Sequence, residues 1–66
     1  MDNTSENTAD VLLDLRERII DGAALVRVEA SRHGFGSTER ARLNAKAEGL
    51  ELALDYVRHS LSLAAR

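Results

Sequence analysis

An all-α fold is predicted, an antiparallel two-helix hairpin that dimerises into a four-helix bundle, and three observations predict it. Apolar residues recur at three- and four-residue steps from Leu12 to Ala30, and again from Leu43 to Ala64. A Gly34-Phe35-Gly36 segment separates the two stretches, and no proline interrupts either. The chain has 66 residues and no cysteine, so its stability must come from helix packing and self-association rather than from disulfides.

Residues 1–8 are polar after the first methionine and too poor in aliphatic side chains to offset the entropy of ordering, which predicts a disordered tail. The hairpin then occupies 9–66. Asn7 or Thr8 can cap a first helix over about 9–33, with Asp10 in its first turn where the helix dipole favours negative charge. Leu12, Leu15, Ile19, Gly22 or Ala23, Val26 and Ala30 form its apolar face. The turn spans 34–37, where glycine can take the left-handed conformation that ends a helix, and Phe35 is expected to pack back on Ala30 or Val26. Ser37 or Thr38 caps a second helix over about 38–65.

That second helix carries two apolar seams. Leu43, Ala47, Leu50, Leu54, Val57, Leu61 and Ala64 keep heptad spacing, and so do Ala45, Gly49, Leu52, Tyr56, His59 and Leu63. At about 100° per residue the two rows lie on opposite sides of the helix. A short connection forces the helices antiparallel. The register that pairs Leu12 with Val57, Leu15 with Leu54, Ile19 with Leu50, Gly22 with Ala47 and Val26 with Leu43 makes every layer apolar or small, with a close crossing at Gly22. It leaves the second seam uncovered, together with Leu13, Ile20 and Ala24 on the first helix. Arg16 and Arg27 separate that stripe from the core face, their stems lying over apolar surface. Rows of exposed apolar residues mark interfaces. The expected self-association interface is therefore Leu13, Ile20, Ala24, Ala45, Gly49, Leu52, Tyr56 and Leu63, with Ala45 and Gly49 at a close crossing between copies.

The net charge is −2, distributed unevenly: residues 27–46 carry five basic and two acidic side chains, net +3, and the rest carries −5. Arg27, Arg32, Arg40, Arg42 and Lys46 converge near the turn with Phe35, a candidate contact for a partner or for nucleic-acid phosphates. Glu29 and Glu39 dilute this cluster, and Phe35 is its one aromatic side chain for stacking.

No catalytic constellation emerges. Asp55 and His59 are four residues apart and read as an ordinary surface pair, since Ser60 and Ser62 point elsewhere on the helix. His33 reads as a residue of the helix C-terminus. Without cysteine, and with only His33 and His59, no metal or cofactor site is expected. Gly34 and Gly36 lack the lysine and the preceding strand of a phosphate loop. No apolar run approaches a membrane span and no export leader is visible, so no membrane partner and a cytoplasmic location are expected.

Lys46-Ala47-Glu48-Gly49-Leu50, followed by Ala53, Leu54, Asp55, Tyr56, Val57 and Arg58, resembles a segment of small uncharacterised helical proteins of actinobacterial phages. The resemblance covers residues 46–58 and brings no activity or site. It implies a phage protein acting in the cytoplasm of a bacterial host. The expected function is a non-enzymatic interaction module that forms a homodimer and binds a host or phage protein. Two alternatives stand beside it: a small nucleic-acid-binding regulator using the basic end, and a structural component of a phage assembly.

Overall fold

A computed structural model of the chain describes residues 4–65, with side-chain surroundings from Thr8 onward. Two helices, α1 (Thr4–Ser31) and α2 (Thr38–Ala64), lie antiparallel in a rod of about 54 × 15 × 11 Å. The all-helical hairpin is thus as expected. Helix α1 begins at Thr4, before the expected start at Ala9, so residues 4–8 are helical and neither Asn7 nor Thr8 is its cap. Once a helix is nucleated, each further residue adds a hydrogen bond at small cost, which lets a polar stretch extend it without a core. The tail expected over residues 1–3 lies outside the described residues.

The inner seam of α2 packs as its spacing requires. Ala47, Leu54 and Val57 are buried and Leu43, Leu50 and Leu61 half-buried, while Ala64 is exposed. On α1 the buried residues are Ile19, Ala23 and Ala30, with Leu12 and Val26 half-buried. Leu15 is 41% exposed, and Arg16 is half-buried in its stead. Its aliphatic stem fits beside the seam while its guanidinium stays wet. Ile19, Leu54 and Val57 form the centre of the core, and Leu12, Leu50, Ala53 and Leu61 pack against it.

This choice of seam moves α2 by about one turn from the expected register. A Cβ placed on Gly22 would meet Leu50 Cδ1 at 3.9 Å, where Ala47 was expected. Aligning the two buried rows puts Leu12 level with Leu61, Ile19 with Leu54, Ala23 with Leu50, Val26 with Ala47 and Ala30 with Leu43. A separation of 3.9 Å is ordinary van der Waals contact, so the hairpin does not need a glycine at position 22.

The turn also departs from expectation. Helix α1 stops at Ser31, and Arg32 and His33 tighten its end by donating their backbone N–H groups to Glu29 and Ala30 carbonyls at 3.1 Å. The left-handed residue is Gly36, with φ of 79°, and the residue that follows it is Ser37. Phe35 precedes that glycine and is 92% exposed, so it does not plug the helix end. A residue packs back on the last turn when it follows the left-handed position, and here a serine occupies that place. Ser37 caps α2 instead, its Oγ accepting from the Arg40 backbone N–H at 3.2 Å.

Candidate interaction surfaces

At the turn end, each basic side chain can be followed to its partner. Arg27 reaches across the helices and donates Nε and Nη2 to the two carboxylate oxygens of Glu51 at 3.1 and 2.8 Å, with Nη1 3.5 Å from Asn44 Oδ1. The two-pronged hydrogen bond holds the Glu51 carboxyl below the ordinary glutamate range and keeps the Arg27 guanidinium more firmly protonated. Arg32 pairs with Glu29 at 3.1 Å and Arg42 with Glu39. His33 Nε2 stands 3.8 Å from Glu29 Oε2.

Arg40 is used differently. Its Nη1 donates to the His33 carbonyl at 3.1 Å, and its guanidinium carbon stands 4.2 Å from the centre of the Phe35 ring. One side chain of α2 thereby ties the end of α1 to the tip of the turn. Phe35, Gly36, Ser37, Arg40, Ala41 and Asn44 line an open groove of about 330 Å³ beside it. Of the basic residues expected to form one contact surface, Arg27, Arg32 and Arg42 are thus engaged by glutamates. Lys46 is exposed and makes no ion pair among the described residues.

The apolar surface is larger. Leu13, Ile20 and Ala24 on α1 and Ala45, Gly49, Leu52, Tyr56 and Leu63 on α2 are all exposed, and Val28 extends the first row. The hairpin does not bring the two rows together. Arg27 and Glu51 meet on one flank, and at about 100° per residue Leu13, Ile20 and Ala24 project on that flank of α1 while Glu48, Glu51 and Asp55 occupy it on α2. The outer row of α2 points away from α1 altogether. A charged strip therefore separates surfaces expected to act as one.

The opposite flank carries apolar residues absent from the expected interface. Val11 is 64% exposed and Leu25 70%, and with Leu15 and Gly22 they form a row on α1 on the side away from Arg27. Their spacing signals it: Val11, Leu15, Arg18, Gly22 and Leu25 repeat at steps of four and three, with only Arg18 breaking the apolar pattern.

Asp55 and His59 are exposed and form no ion pair with each other. Among the described residues no group of three or more His, Cys, Asp or Glu side chains could hold a metal ion, and no helix is long and apolar enough to cross a membrane. No protein-family model, no curated protein and no solved structure matches this chain.

Proposed function

We propose that this chain is a non-enzymatic helical interaction module whose hairpins associate with one another and present remaining apolar surface to a protein partner. One observation carries the proposal. Among the described residues, ten large apolar side chains are exposed, whereas the large ones buried are Ile19, Leu54 and Val57, and the other buried residues are alanines. Burying one large aliphatic side chain contributes roughly 1.5–3 kcal/mol. A lone hairpin thus leaves part of its available hydrophobic stabilisation unused, and a second molecule can supply it.

Sedimentation across a micromolar concentration series tests this. Concentration-dependent association of a helical species is the expected result, and a fully helical monomer throughout overturns it. Sedimentation into ordered higher oligomers would favour a structural component of a larger assembly. If the resemblance of residues 46–58 reflects descent, the module acts inside a bacterial host, and its partner is a host or phage protein.

Nucleic-acid binding has less support, because Glu51, Glu29 and Glu39 engage Arg27, Arg32 and Arg42. A gel-shift series in salt separates the two functions: salt-sensitive binding lost on replacing Arg40 and Arg42 would favour the regulator.

A further inference from the structure

The arginines near the turn differ in what answers their charge. Glu51, Glu29 and Glu39 engage Arg27, Arg32 and Arg42, whereas no carboxylate pairs with Arg40 among the described residues. Arg40 is half-buried, and its side-chain partners are the His33 carbonyl at 3.1 Å and the Phe35 ring at 4.2 Å, neither of which carries a charge. A guanidinium has five N–H donors, and the carbonyl takes one. An unanswered cation with donors to spare thus forms one wall of the groove at the turn.

The other wall is Phe35, 92% exposed beside the left-handed Gly36. The Arg40 guanidinium stands over the ring, so each side chain holds the other in place before any partner arrives. Binding then costs less ordering entropy than two loose side chains would require. Aromatic residues and arginine are also the types that protein interfaces concentrate at their centres.

Size and charge narrow the occupant. A groove of about 330 Å³ lies at the small end of ligand pockets and suits one or two side chains, not a whole helix. A carboxylate is the planar anion that a guanidinium matches, and an apolar side chain is what the exposed ring can bury. Asn44 gives its Oδ1 to Arg27, which leaves its amide N–H groups to donate to a peptide carbonyl. A nucleic acid suits the groove less. At about 100° per residue Lys46 lies on the far side of α2 from Asn44, so a phosphate chain would meet a single unanswered cation beside engaged glutamates. One phosphate contact releases about one counterion, which supplies little affinity.

Resting on the partner binding proposed above, we infer that this groove docks an acidic segment of a protein partner, with a carboxylate on Arg40 and the neighbouring apolar side chain stacked on Phe35. A displayed library of random short peptides, selected on the wild-type chain, tests it. The expected result is selection of peptides with Asp or Glu next to an aromatic or large aliphatic residue. Their affinity should fall roughly tenfold or more on Phe35→Ala, which removes an exposed side chain and leaves the helices intact. Arg40→Gln should weaken them similarly, with helicity read by circular dichroism because it also removes the tie to His33. Arg58→Gln, an exposed charge outside the groove, should leave them unchanged. Selection of no peptide, or of peptides without the acidic residue, overturns the groove. So does affinity that survives Phe35→Ala, a result that leaves partner binding standing and moves it to another surface. Displacement of the selected peptides by an equal concentration of a single-stranded oligonucleotide also overturns it, in favour of a phosphate site. Self-association is read separately by sedimentation and stands or falls on its own.

Discussion

The two halves of the hairpin are held by different physics. Away from the turn, Ile19, Leu54 and Val57 meet with Leu12, Leu50 and Leu61 around them, and large side chains fill the space between helices. Toward the turn the fully buried residues are Ala23, Ala30 and Ala47, with Val26 and Leu43 half-buried, so less apolar area lies between the helices there. There the chain supplies polar ties: the Ser37 cap, the Arg40 bond to the His33 carbonyl and the Arg27–Glu51 bridge. The contrast follows from connectivity. Near the turn the covalent link already keeps the helices together, so small residues and caps suffice, whereas the free ends separate unless side chains bind them.

Removing a large side chain from the open half should therefore cost the most. Leu54 is 8% exposed at the centre of the core, and Leu54→Ala is expected to lose about 2–5 kcal/mol, enough to unfold a domain this small. Thermal denaturation followed by helicity measures it. A melting curve close to wild type would show that the leucine cluster does not carry the open half.

Ala47 tests the other half. It is 0% exposed, so Ala47→Leu must push the helices apart where the turn holds them, at an expected cost of about 1–3 kcal/mol. If the variant melted above the wild type, the alanine layers would be loosely packed and the contrast between the halves would fail. Ser37→Ala comes next, with an expected loss of about 1 kcal/mol from the uncapped Arg40 N–H. Hydrogen exchange locates this loss: protection should fall in the first turn of α2 and remain at Leu54.

The inner seam of α2 was legible because Leu43, Leu50, Leu54, Val57 and Leu61 make it richer in large aliphatic side chains than the outer row, which has Leu52 and Leu63. On α1, the row from Leu12 can continue three residues on to Leu15 or four residues on to Arg16, which lie on opposite sides of it at similar angular distance, and residue type favours the leucine while the helices adopt the arginine. That single ambiguity propagates into the register and into the expected role of Gly22. At the turn, two glycines bracket Phe35, and composition does not distinguish which of them takes the left-handed backbone. Choosing Gly34 sends the phenylalanine inward, and the observed Gly36 sends it out. The outer row of α2 was readable from spacing alone, since opposite faces of one helix are fixed by its period. The sides of the hairpin on which Leu13 and Leu25 lie depend on how the two helices face each other, so the charged strip and the row of Val11 and Leu25 emerge only from the pair.

The smallest effect expected is that of the Arg27–Glu51 bridge, and its sign is fixed by the carboxylate. Arg27 lowers the pKa of Glu51 in the folded chain, so folding favours the ionised form. The resulting stabilisation is present above the unfolded-state glutamate pKa and is lost as pH falls through the lower folded value. Both partners are about half exposed, so water and salt screen the attraction and the contribution is slight. Comparing wild type with Glu51→Gln over an acid titration isolates it: the wild type should hold its advantage near neutral pH and forfeit it in acid, more so at low ionic strength. An advantage that persisted below the Glu51 pKa would place its origin in packing of the Arg27 stem. The polar account of the turn half would then give way to the same side-chain burial that holds the open end.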